Sequence, residues 1–300
     1  MNILFRADSS SSIGTGHIMR DLVLAQQYPN DNIIFATREL DGNINHKIDE
    51  ASYKKVILKT HDIKELDKII KKLKIDMLVI DHYDIDYKYE KQLKKKSPKL
   101  KIFSFDDTYE QHYCDILLNH NISADRKKYK SLVPKHCELR CGSKYTLLRE
   151  EFRKEKKKKR KKPKRKIKTI FVAMGGADHG NINIEILKVL KKFKNIKVNL
   201  VTTRANRNLD KLKKYCKNRG GIDLYINSNQ IAKLMRKSDL AIVTPSVTMN
   251  EVYFMKLPFI AIMTADNQRD MYDFLKNKNY LTMKSFNKKK LRSILNDTIN

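Results

Sequence analysis

Short apolar runs alternate with segments whose apolar positions recur at helical spacing, from the first residues to about residue 277. In the first half the runs are Asn2 to Phe5, Asn32 to Thr37, Tyr53 to Leu58, Met77 to Ile80, Lys101 to Phe105 and Cys114 to Leu118. Between them, 16–27, 62–74 and 86–96 read as helices; the stripe Ile63, Leu66, Ile69, Ile70, Leu73 is a core face rather than a partner surface. Residues 137–152 close this half. The second half repeats the alternation. It offers strands at Ile167 to Ala173, Ile196 to Thr202, Ile222 to Ile226, Leu240 to Val243 and, as the last, Pro258 to Met263. Helices are expected at 181–193, 208–217, 229–237, from the 245–251 break to about Lys256, near 268–277 and more weakly at 287–297. This rhythm predicts an α/β chain of two doubly wound parallel sheets with helices on both faces.

Charge locates the boundary. Arg153 to Lys168 is almost unbroken lysine and arginine around Pro163, and like charges extend a chain. The expected organisation is therefore 1–152, a basic linker 153–168, and 169–300. The net charge of +30 raises the question of nucleic acid. Lysine is spread through nearly every helix without interleaved aromatic residues, so it reads as solvated surface and no stable nucleic-acid partner is expected. With 41% hydrophobic residues, each half can build a core. No run of eighteen apolar residues and no basic-then-apolar leader is seen, which predicts a cytoplasmic protein without membrane insertion. Cys114, Cys137, Cys141 and Cys216 lack zinc-site spacing and are expected to be buried, reduced thiols.

The chemistry gathers where strands end. After the first strand come Arg6-Ala7-Asp8, four serines and Ile13-Gly14-Thr15-Gly16-His17-Ile18-Met19-Arg20. In an open parallel sheet ligands bind beyond the carboxyl ends of the strands, and a helix start offers free N–H groups to anions. Glycines 14 and 16 let the backbone approach a ligand, and a histidine beside them can accept a proton near neutral pH. An incidental surface histidine at a helix start fits these residues equally well. Neither the dinucleotide fingerprint nor a Walker loop is present. His82, Tyr83, Asp106, Asp107 and Asn119 end other strands and should share the rim with Arg6 and Asp8.

In the second half, Ser246-Val247-Thr248-Met249-Asn250-Glu251 opens a helix after a buried strand. Its N–H groups and hydroxyls suit a diphosphate without metal, and Glu251 suits a ribose diol. A capping box over Thr248 to Glu251 fits the same residues. Gly175-Gly176 offers a second close backbone approach, and Asp178 reads as a helix N-cap. Two such domains describe a cleft for a nucleotide-sugar, one half holding UDP and the other the sugar.

These motifs, together with Ile80-Asp81-His82-Tyr83, Ser104-Phe105-Asp106-Asp107, Cys114 to Asn119, Arg140-Cys141-Gly142, Leu148 to Phe152, Met174-Gly175-Gly176 and Asn250-Glu251, resemble the UDP-2,4-diacetamido-2,4,6-trideoxy-β-L-altropyranose hydrolases of pseudaminic acid synthesis. The match runs in order from residue 3 to about residue 270. The resemblance implies a GT-B fold, related to the peptidoglycan N-acetylglucosaminyltransferase, with water as acceptor. It implies inverting cleavage between the anomeric carbon and the phosphate oxygen, with no metal and no cofactor, by a monomer. It puts the catalytic histidine on His17 and the active-site tyrosine on Tyr83. Substrate contacts fall on Arg6, Asp8, Gly16, Arg149, Gly175, Ser246, Val247, Thr248, Met249, Asn250, Glu251 and Asn267. A glycosyltransferase using a UDP-N-acetylhexosamine donor shares the fold and the UDP half. A polyanion-binding protein is the non-enzymatic alternative.

Overall fold

The computed structural model describes residues 1–158, 166–176, 178, 180–217 and 219–299. The chain divides into two units, Met1–Leu147 and Leu148–Asn300.

In the first unit the order is β1 (Asn2–Ala7), α1 (Gly16–Ala25), β2 (Asn32–Arg38), α2 (His46–Glu50), β3 (Lys54–Leu58), α3 (Ile63–Lys72), β4 (Met77–Asp81), α4 (Tyr87–Lys96), β5 (Lys101–Phe105), β6 (Ile116–Asn119) and β7 (Glu138–Cys141). The seven strands form one parallel sheet in the order β3-β2-β1-β4-β5-β6-β7. Strand alternation divides the core. Ile3, Phe5 and Ala7 pack with Ile18 and Leu22 of α1, while Leu4 packs on the other face with Leu66 and Ile70 of α3 and Leu93 of α4. Each such buried aliphatic side chain contributes about 1.5–3 kcal/mol. Helix α3 starts where the Asp62 carboxylate accepts from the Lys64 N–H at 2.8 Å, and it ends on Lys71 and Lys72, which suit its dipole. Asp86 caps α4 in the same way, accepting from Tyr89 N at 2.9 Å.

The second unit runs α5 (Glu150–Lys157), β8 (Thr169–Ala173), α6 (Ile182–Leu190), β9 (Lys197–Thr202), α7 (Leu209–Lys217), β10 (Ile222–Ile226), α8 (Ile231–Lys237), β11 (Leu240–Val243), α9 (Val247–Met255), β12 (Phe259–Ile262), α10 (Arg269–Asn277), β13 (Leu281–Met283) and α11 (Lys288–Ile299). Six parallel strands lie in the order β10-β9-β8-β11-β12-β13. Ile170, Val172, Leu200, Ile242 and Ile260 join Ile186 and Leu187 of α6 in its core.

Three expectations change. The strand at 259–262 is not the last, because β13 pairs beside it with Ile260 opposite Leu281. The boundary falls before Leu148 rather than after Phe152. Phe152 is fully buried in α5, and Glu155 of the same helix accepts from Arg236 of α8 at 2.5 Å, so the start of the basic run is helix rather than linker. Its residues 159–165 lie outside the described residues. Cys114 and Cys216 are buried thiols, but Cys137 and Cys141 are only half-buried.

Candidate functional site

In each sheet the strand order reverses beside the first strand of the unit, between β1 and β4 and between β8 and β11. That is where a doubly wound sheet opens a crevice at its carboxyl ends. Register fixes what meets there: Ala7 of β1 lies opposite Asp81 of β4, so the loop after β1 and the end of β4 converge.

The loop from Ser9 to Thr15 is tightly bonded. Ser10 and Gly14 exchange backbone hydrogen bonds of 3.3 and 2.8 Å, and the Ser10 hydroxyl accepts from Ile13 N at 2.9 Å. Gly14 sits at φ +87°, a backbone region that L side chains rarely adopt. No side chain caps α1, and no acidic residue lies in its first turn, which leaves N–H groups at Gly16 and His17 facing the crevice end. His17, in that turn, is buried. Its Nδ1 lies 2.6 Å from Asp81 Oδ1. Arg20, one turn on, donates from Nε to Asp81 Oδ2 and from Nη2 to Oδ1, both at 2.5 Å, and from Nη1 to Asp107 at 3.3 Å. Burial works against charge on Asp81, but Arg20 and His17 outweigh it and hold the carboxyl well below the usual carboxylate range. An ionised Asp81 accepts the Nδ1 proton, so the ring nitrogen of His17 that carries a free lone pair is Nε2.

Tyr83 stands edge-on to the His17 ring, 5.1 Å between centroids, and donates its hydroxyl to Asp107 at 3.1 Å. Tyr83 is exposed overall, but partial desolvation of the phenol and the neighbouring Asp107 raise its pKa, so it stays protonated at neutral pH. Arg20, Tyr83, Phe105, Asp107, Gln111 and His112 are among the residues lining a cavity of about 400 Å³. Such a volume lies in the range of small-molecule pockets.

Arg6 and Asp8 are bonded chiefly to protein groups, although Asp8 also lines a small cavity with His17. Both are about 1% exposed and are spent on each other in a two-pronged pair of 2.7 and 2.9 Å. Asp8 also accepts from Arg38 N and Nε, each at 2.8 Å, and from His82 Nε2 at 3.1 Å. The donor atoms of Asp8, His61 and His82 lie within 4.8 Å of one another, a spacing a metal could use. The two guanidinium groups bonded to Asp8 place positive charge against any cation there.

In the second unit, α9 begins at Ser246, whose hydroxyl pairs with that of Thr244 at 2.9 Å and does not cap the helix. Val247 is exposed at this end, and no acidic residue occupies the first turn. Met249 and Asn250 do not face out. Met249 is fully buried and its N–H is bonded to Ser246 O at 2.8 Å; Asn250 is 1% exposed. The capping-box alternative is excluded, because Glu251 lies past the first turn and accepts from Arg149 Nη2 at 3.1 Å. Burial pushes its carboxyl up to about 7 against the opposing pull of Arg149. Arg149, whose side chain is 31% exposed, also pairs with Glu151 at 2.7 Å. Gly175, at φ +81°, lies two residues past β8, and among the described residues no atom outside its chain neighbours is within 4 Å of where a Cβ would stand. Asn267 is exposed in the turn after β12. Asp178 accepts from Ile182 N at 2.8 Å, but it is not the expected N-cap: that position of α6 is Asn181, and Asp178 holds the helix start from three residues upstream.

Sequence reasoning gave no role to Asp81 or Arg20. Both had a signal: Asp81 ends the strand that must neighbour the first, and Arg20 follows His17 by one helical turn.

No family model matches the chain. The chain is 43% identical over 280 residues to the UDP-2,4-diacetamido-2,4,6-trideoxy-β-L-altropyranose hydrolase of Campylobacter jejuni, covering 93% of this chain and 98% of that protein. It is 32% identical to the uncharacterised protein MJ1062 of Methanocaldococcus jannaschii, over 91% of this chain and 58% of that one. Among solved structures, MurG of Acinetobacter baumannii superposes with a TM-score of 0.67, at 10% identity, over 100% of this chain and 91% of its own. The fold is GT-B, with parallel sheets of seven and six strands.

Proposed function

The chain belongs to the family of UDP-2,4-diacetamido-2,4,6-trideoxy-β-L-altropyranose hydrolases, and from that premise we propose that it cleaves this nucleotide-sugar with water, releasing UDP and 2,4-diacetamido-2,4,6-trideoxy-L-altrose. The observation that carries the mechanism is the chain Asp81···His17, with Arg20 locking the aspartate. His17 Nε2 takes a proton from water as its oxygen attacks the anomeric carbon. The bond to the phosphate oxygen breaks, its electron pair leaves with UDP, and configuration inverts. A positioned base of this kind contributes typically 10²–10⁴-fold. Tyr83, protonated and fixed by Asp107, supplies a hydroxyl to the sugar or the water.

In the second unit, the uncapped start of α9 at Ser246, Val247 and Thr248 would receive the diphosphate, where the growing negative charge meets backbone N–H groups. Glu251 would accept two hydroxyls of the ribose. Arg149 holds Glu251 in place, and Gly175 and Asn267 border the same strand ends. The proposed enzyme is a monomer acting in the cytoplasm without metal or cofactor. No described helix is long and apolar enough to cross a membrane.

The test is turnover of the diacetamido UDP-sugar in ¹⁸O-water with EDTA, with mass spectrometry of both products. Label in the free sugar and none in UDP is the expected result. Label in the phosphate would overturn attack at the anomeric carbon, and turnover only with an added acceptor would make the protein a glycosyltransferase.

A further inference from the structure

Beside the Asp81···His17 pair stands a carboxyl that the mechanism does not use. We infer that Asp21 is held as a carboxylic acid whose O–H donates to Asp81, which makes Asp21 a positioning residue for the base. The inference rests on the role proposed for His17.

Asp21 follows His17 by one helical turn of α1, so the two side chains leave the same face of the helix. Its side chain is completely buried, and among the described residues neither carboxyl oxygen has a hydrogen-bond donor. Among the described residues, the carboxyl of Asp81 is a hydrogen-bonding neighbour of Asp21. Two ionised carboxylates cannot bond to each other, and a buried anion without a donor is costly. The nearby cation is already engaged, since Arg20 directs three N–H groups to Asp81 and Asp107. The other titratable groups around the pair bring no further positive charge to Asp21. Tyr83 is bonded to Asp107, and the buried His120 ring, beyond β6, is pushed down to about 3 by burial and by Arg20, so it is neutral. His17 spends its Nδ1 proton on Asp81. A proton on Asp21 resolves all of this, turning two repelling acceptors into a donor and an acceptor. Burial and the Asp81 charge push the Asp21 carboxyl well above its ordinary value, in agreement. The role that follows is orientation. Asp81 would be gripped by Arg20 on one side and by Asp21 on another, leaving the aspartate one orientation in which to hold the His17 ring.

Infrared difference spectroscopy of wild type against Asp21→Asn at about pH 8, where an ordinary Asp is fully ionised, tests the proton directly. The expected result is a protonated-carboxyl carbonyl band in wild type, shifted in D₂O and missing from the variant. No such band overturns the inference. Kinetics test the role: Asp21→Leu is expected to lower kcat about 10–100-fold with KM within about twofold, the size of one lost hydrogen bond to a charged group. Asp21→Asn, whose amide can still donate to Asp81, should recover most of that loss. An Asp21→Leu enzyme with wild-type kcat, or an Asn variant as slow as the Leu one, overturns the positioning role. Should the Leu variant fail to fold, the infrared band and the Asn kinetics decide. A missing band with normal turnover defeats this inference alone; a band with no hydrolysis defeats the functional reading alone.

Discussion

Asp81 ends β4 and Glu251 sits in the helix that follows β11, the two strands beside which strand order reverses, and each carboxyl is met by an arginine. Their charge states differ. Asp81 takes a bidentate arginine and a histidine and is held well below the carboxylate range, so its negative charge is permanent. Glu251 takes one arginine hydrogen bond, shared with Glu151, and burial leaves it near 7, half protonated at neutral pH. A carboxylate completed by its own protein is a fixed part of a catalytic arrangement. One left incomplete is a place where a ligand's hydroxyl groups can finish the job.

That contrast can be broken most forcefully at His17. His17→Ala should lower kcat about 10²–10⁴-fold while UDP affinity by calorimetry stays within about threefold. An equal loss of both would erase the division between a chemical unit and a binding unit. Asp81→Asn comes next. With no anion to accept the Nδ1 proton, the imidazole loses its preferred tautomer, and kcat should fall by on the order of 10²-fold or more; a decrease of less than threefold would make Asp81 a mere support.

Glu251 sharpens the comparison through pH. Its ionised form accepts hydroxyls, so UDP affinity should rise up to about tenfold between about pH 6 and 8 in wild type and stay level in Glu251→Gln; parallel curves would remove Glu251 from the ribose site. Stability should move the opposite way. A carboxyl raised from 4.5 to about 7 in the folded state binds extra protons there, so stability is fullest below about 4.5 and is lost as pH rises through about 7. Glu251→Gln should remove that dependence, a difference on the order of 1–3 kcal/mol readable from melting curves at the two ends. The smallest effect is expected at Gly175→Ala. Nothing obstructs the new Cβ, so only the φ of +81° is penalised, at about 1 kcal/mol. A much larger loss of UDP binding with unchanged stability would show that the backbone there touches ligand.

Much of this fold is legible in the sequence because buried parallel strands are continuous apolar runs. Lys101–Phe105, Ile222–Ile226 and Leu240–Val243 fall at the expected residues. β13 escapes because only Met283 of its three residues is buried and Leu281 is exposed, which leaves no apolar run to see. The boundary was misplaced because the lysines from 153 on outweigh the single buried Phe152 in any average over the segment. At the site, the motif residues His17 and Tyr83 do converge. The resemblance makes Arg6 and Asp8 substrate contacts, but it says nothing of how deeply they are buried. Here alternation turns Arg6 into the second face of the sheet, and pairing with Asp8 lets it stay there. Asp81 and Arg20 could not be valued from one dimension, since their importance lies in a register between strands seventy residues apart.

The knot around Asp8 also has a kinetic consequence. Its carboxylate ties the end of β1 to Arg38 of β2 and to His82 after β4, so three strands are fastened at the root of the loop that leads into the helix of His17. Amide hydrogen exchange should divide at that root. The Arg38 N–H, bonded to Asp8, should exchange only with opening of the whole sheet, whereas Ser12 and Ile13, held by one serine hydroxyl at the exposed tip, should exchange orders of magnitude sooner. The helix that carries His17 would then be entered through a loop that can adjust at its tip without loosening its foundation.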